Sequence, residues 1–291
     1  IAAGGGNDTV TWRGIEALID GGAGNDTLVV IGSGGIASLN LSAPTNADQS
    51  SGDAVAVTNF ENIDASGFST AIAITGAAGI NILTTGSGND TVNGMGGADV
   101  IDAGAGDDSV AVHGSEASID GGTGTNTLVL AAALNVDLSA ADQTSGDAAL
   151  VTGFQNADAS SLGAGQGATI TGSTGSNILI GGAGADTIDG NGGADTIDAG
   201  AGNDAVIYHG PETAIDGGAG ADTLTLRVGT SLSTINLSVA AGIDQTLGDA
   251  ASVTNFENVD ASAVTSDLVV TGSSSANTLL TGSGDDILHG G

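Results

Sequence analysis

A nine-residue beat runs through this chain and places one Asp between glycines and an aliphatic residue. Gly21-Gly22-Ala23-Gly24-Asn25-Asp26-Thr27-Leu28-Val29 is its cleanest copy. Asn81, Asp90, Asp99 and Asp108 stand nine apart, as do Asn177, Asp186, Asp195 and Asp204. Such a beat admits few folds, because a nine-residue copy cannot bury a face alone and must stack on its neighbours. Two residues after each Asp comes an aliphatic side chain, as at Val10, Leu28, Val92, Ile101, Val110, Ile188, Ile197, Val206 and Leu224. Its neighbours are mostly Thr, Ser, Asp or Val, the alternation of a short strand with one face inward. Six glycine-rich residues then reverse the chain. Two halves make an 18-residue coil. The predicted fold is all-β, a parallel β-roll or β-helix solenoid with Gly-Asp turns.

A longer period of about 100 residues overlies the short one. Gly-x-Gly-x-Asp recurs at Asp8, Asp108 and Asp204, and Asp90, Asp186 and Asp286 mark a second series. Phe60, Phe154 and Phe256 recur inside Val-Thr-x-Phe-(Glu/Gln)-Asn-x-Asp-Ala-Ser. The expected organisation alternates nonapeptide rungs at 1–29, 75–129, 171–225 and 271–291 with inserts at 30–74, 130–170 and 226–270. That amounts to about three tandem units, read as an excerpt of a longer repetitive protein. The inserts carry strand-like patterns such as Ile36-Ala-Ser-Leu-Asn-Leu41 and are expected to be wider β-coils in the same stack. One rung per unit is degenerate, with Ala17, Ala117 and Thr213 where Asp would stand, yet Ile19, Ile119 and Ile215 keep the aliphatic place.

Charge narrows the partners. The formal charge is −32, with Arg13 and Arg227 the only cationic side chains apart from three His. Nucleic acid and anionic membrane surfaces are therefore not expected as partners, and no run is long or apolar enough for membrane insertion. Hydrophobic residues make up 40% of the chain, which argues against a disordered acidic tail. A folded state with so much like charge calls for neutralisation by metal.

The donor set selects the metal. Cys is absent and the His are dispersed, which disfavours zinc. Magnesium demands a tight octahedron and keeps its water, whereas calcium takes six to eight oxygens at flexible spacing. One carboxylate per turn cannot supply that number, but glycine turns add backbone carbonyls. Turns on one side lie 18 residues apart, so the full sites are expected at Asp8 with Asp26, Asp90 with Asp108, Asp186 with Asp204, and Asp204 with Asp222. Asp99 and Asp195 face turns ending in Asn81 and Asn177 and are expected to bind more weakly, as is Asp108 with Asn126. Asp286 lacks a complete following turn. The glycines expected to lend carbonyls are Gly22, Gly24, Gly86, Gly88, Gly97, Gly104, Gly106, Gly182, Gly184, Gly193, Gly200, Gly202, Gly218 and Gly220.

The motif Gly-Gly-x-Gly-x-Asp-x-aliphatic-x resembles the repeats-in-toxin (RTX), or hemolysin-type, calcium-binding family. That resemblance implies turns that bind several Ca2+ ions and strands of a parallel β-roll. It also implies secretion from a Gram-negative bacterium and folding triggered by external calcium. The expected function is a structural calcium-binding module of a secreted or cell-surface protein, such as an adhesin, a filament or a surface-layer component. Calcium and further copies of the chain in a fibre or surface array are the expected partners. The alternative is an export and folding module of a secreted protease, lipase or polysaccharide epimerase. Ice binding would need an unbroken threonine row, which Val100, Ser109 and Ala205 interrupt. No Ser-His-Asp set, His-Glu-x-x-His motif or phosphate loop is present, so no enzymatic activity is expected of this stretch.

Overall fold

The computed structural model describes residues 1–31, 35–230 and 232–291. Residues 32–34 and 231, which fall in the first and third inserts, lie outside the described residues. Among the described residues every helix or strand is a strand, and most strands are three residues long. Thr91–Asn93 shows why they are so short: Thr and Asn face outward, Val92 is buried, and Gly94 then begins the next turn.

The chain divides into two compact units, residues 1–129 with 141–154, and residues 130–140 with 155–291. In the first, seven strands from Thr9–Trp12 to Leu150–Thr152 form one parallel sheet. Leu83, Ile101 and Ile119 stand in register along it. A second file in the same unit runs Ile74, Val92, Val110. In the other unit the files are Leu179, Ile197, Ile215 and Ile170, Ile188, Val206, Leu224. Each of these side chains is at most 1% exposed. Burying an aliphatic side chain contributes roughly 1.5–3 kcal/mol, so the core is the sum of many identical layers and needs few aromatics. Each unit is thus a parallel β-roll in which the 18-residue coil is the repeating layer.

At the inserts the coil lengthens while the files continue. Leu28 pairs with Ile63 and Ile19 with Val57; Leu224 pairs with Val259 and Ile215 with Val253. The inserts also fold back on themselves: Ser38–Asn40 with Ser50–Ser51 and Thr234–Asn236 with Thr246–Leu247 form antiparallel hairpins, and Asn135–Asp137 pairs with Thr144–Ser145 in the middle insert. Those hairpins depart from an all-parallel roll. The extra chain folds back because Asp48 Oδ1 receives the N–H groups of Ser50 and Val57, and Asp244 Oδ1 those of Thr246 and Val253. Phe60, Phe154 and Phe256 are buried plugs. Each is held by a buried Gln: Gln49 Oε1 accepts the Phe60 N–H and its Nε2 donates to the Phe60 carbonyl, both at 2.9 Å. Gln143 and Gln245 do the same for Phe154 and Phe256.

Candidate metal centre

Each turn delivers its Asp to the interior between stacked turns. The first oxygen of that Asp reaches back one coil: the Asp90 N–H donates to Asp108 Oδ1 at 2.7 Å, and the Asp186 N–H to Asp204 Oδ1 at 2.7 Å. The same bond links Asp8 to Asp26, Asn81 to Asp99, Asn177 to Asp195 and Asp204 to Asp222. Asp286 accepts from the Leu268 N–H but remains half-exposed.

The second oxygen defines the site. Oδ2 of Asp8, Asp26, Asp90, Asp99, Asp108, Asp195, Asp204 and Asp222 is buried without a hydrogen-bond partner. All but Asp8 are at most 2% exposed. Asp186 differs, because its Oδ2 accepts the Gly182 N–H at 2.7 Å. A buried carboxylate oxygen with no donor costs several kcal/mol unless a cation or proton meets it. The orphaned oxygens therefore fit a metal ion, and a donor set of oxygens alone fits a hard one.

The glycines sit where backbone meets backbone. A Cβ on Gly22 would lie 2.1 Å from the Gly4 carbonyl oxygen, and one on Gly24 1.8 Å from that of Gly6. Gly104 and Gly106 oppose Gly86 and Gly88 in the same way. Gly200 and Gly202 oppose Gly182 and Gly184, and Gly218 and Gly220 oppose Gly200 and Gly202. Gly97 opposes Gly79, and Gly193 opposes Gly175. One row of carbonyls thus points along each stack of turns. The Ala105 and Ala201 N–H groups take one lone pair of the Gly86 and Gly182 carbonyls, and each carbonyl has a second. Among the described residues no three acidic or imidazole side chains converge, so an ion here draws much of its coordination from the backbone.

Burial pushes the carboxyls of Asp108, Asp195, Asp204 and Asp222 up to about 6. Neighbouring carboxylates add to it: Asp90 for Asp108, Glu212 for Asp195, Asp186 for Asp204, and Asp204 for Asp222. Burial also raises Asp90 and Asp99. A bound divalent cation would reverse this penalty.

Several carboxylates lie outside the nine-residue beat. At the degenerate rungs the acid moves one position: Glu116, 1% exposed, accepts the N–H groups of His113, Gly114 and Ser115. Glu212 does the same for His209 and Gly210. Where an insert follows a turn, Glu61 accepts the Asp26 N–H and Glu257 the Asp222 N–H. Their signal in the sequence was their return in every unit beside Ala17, Ala117 and Thr213, or after Phe60 and Phe256. The rung-end acids orient turns: Asp102, Asp120, Asp198 and Asp216 each accept the N–H two residues on. His113 and His209 are half-buried, their rings bonded to Asn93 and Asp189.

Among known families, the RTX calcium-binding nonapeptide repeat matches in four copies, over residues 18–29, 75–110, 171–206, 214–230 and 269–291. The turns ending in Asp8 and Asn126 lie outside the match, and register alone carries the first of them, through Thr9 paired with Thr27. No curated protein matches the chain. Among the described residues no helix is long and apolar enough to cross a membrane.

Proposed function

Because the Gly-Asp blocks of this chain belong to the RTX calcium-binding nonapeptide repeat family, we propose that it is a calcium-dependent structural module of a secreted or cell-surface protein. The observation that carries this reading is the series of buried, unpartnered Asp oxygens beneath stacked carbonyls. With 34 acidic residues against two Arg, the roll without metal carries both unsolvated charge and long-range repulsion. Calcium bound only to the folded chain adds its binding free energy to folding. Extracellular calcium modules bind at roughly 10⁻⁴–10⁻³ M. At cytosolic calcium the module is then unfolded, and it folds on export. The ions lie between turns 18 residues apart, at Asp8 with Asp26, Asp90 with Asp108, Asp186 with Asp204, and Asp204 with Asp222.

The role we assign is mechanical and not catalytic, with tandem units of about 100 residues serving a fibre, adhesin stalk or surface array. Circular dichroism in chelator, then in millimolar calcium, tests the reading. A disordered spectrum turning β-rich on calcium addition is expected. A β-rich spectrum that ignores chelator would overturn it.

A further inference from the structure

The turns that abut the first and third inserts carry two acids that the middle copy exchanges for amides. Asp26 and Glu61 return as Asp222 and Glu257; in the middle copy the matching positions are Asn126 and Gln155. Glu61 Oε2 accepts the Asp26 N–H at 2.8 Å, and Glu257 Oε2 accepts that of Asp222 at 2.9 Å. Both Asp side chains are fully buried, and the Oδ2 of each has no partner. Asp26 Oδ2 and the Asn59 carbonyl oxygen lie 3.0 and 2.2 Å from the place a Cβ on Gly21 would take. In the middle copy Asn126 Nδ2 and the Gly153 carbonyl oxygen flank the same place on Gly121, at 3.1 and 2.7 Å. There the amide nitrogen donates to the Gly121 carbonyl at 2.6 Å and to the Gly153 carbonyl at 2.9 Å.

In the middle copy this position thus holds an N–H donor bonded to two carbonyls; in the first copy a bare carboxylate oxygen and the Asn59 carbonyl flank the matching place, and in the third the Asn255 carbonyl and the Asp222 side chain do. A cation satisfies the second arrangement and removes its repulsion. We propose that Asp26 with Glu61, and Asp222 with Glu257, each hold a divalent cation against an insert carbonyl, that of Asn59 in the first. Asn126 closes its own turn by hydrogen bonding and takes no ion. These two sites lie between a nonapeptide turn and an insert, and are additional to those between nonapeptide turns 18 residues apart. Each has two carboxylates from different segments, so the ion ties the insert's return strand to the block before it. The proposal rests on the calcium-binding reading above and extends it to positions outside the repeat motif.

The test counts calcium bound to the full chain by native mass spectrometry at saturating calcium. The wild type is compared with Asp26→Asn/Glu61→Gln and with Asp222→Asn/Glu257→Gln. At saturating calcium each double variant should lose one ion, because the insert site has lost both carboxylates while the Asp8–Asp26 or Asp204–Asp222 site has lost one and still fills; in chelator each should melt at a higher temperature than wild type, since the amides restore the arrangement of Asn126. Unchanged stoichiometry, or a lower melting temperature in chelator, would overturn the proposal. Should a double variant not fold, Glu61→Gln alone, at a half-exposed position, should weaken the binding of one ion by roughly tenfold; an unaltered calcium titration would overturn it. A wild-type chain that binds no calcium would instead sink the reading of the module itself.

Discussion

Each repeat Asp divides its two oxygens between separate tasks, one closing the backbone of the preceding coil and one left for a cation. Asp204→Asn separates them. The amide oxygen can still accept the Asp186 N–H, but the charge at Oδ2 is gone. Calcium affinity should fall by about tenfold or more, on the order of 1.4 kcal/mol, in a titration followed by circular dichroism. Folding in chelator should be unharmed or improved, and a large loss there would mean that the carboxylate is structural. Gly202→Ala tests the carbonyl rows. Its Cβ would meet the Gly184 oxygen at 2.1 Å, at a φ of 147°. Backbone strain of this kind costs on the order of 1–3 kcal/mol and the overlap adds to it, so the melting temperature with calcium should drop by several degrees. The Asp positions were legible in the sequence because a strict period needs no structure to be seen. Glu116, Glu212, Glu61 and Glu257 sit off the beat and show only through their return in the long period; Glu116 and Glu212 bind the backbone just before them, and Glu61 and Glu257 that of a segment 35 residues away, roles a nine-residue period does not reveal.

A coil is held by the files of aliphatics and by the plugs that close the inserts. Ile101 lies between Leu83 and Ile119. Ile101→Ala leaves a cavity that both neighbours line and should cost about 2–5 kcal/mol, read as a shift in calcium-loaded denaturant midpoint. Gln245→Ala removes both bonds to the Phe256 backbone and leaves a buried N–H and carbonyl. At about 1–3 kcal/mol for each unsatisfied group, it should destabilise the third insert as strongly as a core truncation does the block. Protection of the Phe256 amide from hydrogen exchange checks this directly. Strand positions and their inward residues were readable from alternation alone. The antiparallel hairpins at Ser38–Asn40 and Thr234–Asn236 were not. They depend on Asp48 and Asp244 bonding backbone far along the insert, a contact that leaves no local period.

Over the whole chain, acid titration and calcium compete for the same interior. The carboxyls of Asp108, Asp195, Asp204 and Asp222 rise from an ordinary value of 3.8 to about 6 on folding without metal. Between these values the folded state holds more protons than the unfolded one. Stability in chelator is therefore greatest below about pH 4, falls as pH rises towards 6, and levels off above it. Each group contributes a penalty on the order of 2–3 kcal/mol at neutral pH. With calcium the slope reverses, because the ligands must lose their protons to bind. Melting curves between pH 4 and 8, with and without chelator, should nearly meet at pH 4 and diverge as the pH rises. Parallel curves would show that these acids are not where calcium binds. Composition made the need for a counter-ion plain, whereas the depth of burial behind these shifts depends on stacking and was hidden from it.

The backward-reaching Asp bonds give the roll a polarity. Within a block a turn is completed by a side-chain oxygen that arrives 18 residues later in the chain, and at Asp26 and Asp222 by a Glu that arrives 35 residues later, so these coils are not finished until their successors are in place. Removing coils from the amino-terminal side leaves spare acceptors, which water satisfies. Removing them from the carboxyl-terminal side strips the acceptor from the last remaining turn, whose N–H then has only water to turn to. Truncation series from the two ends should therefore be unequal, with the later coils acting as the foundation on which the earlier ones are set.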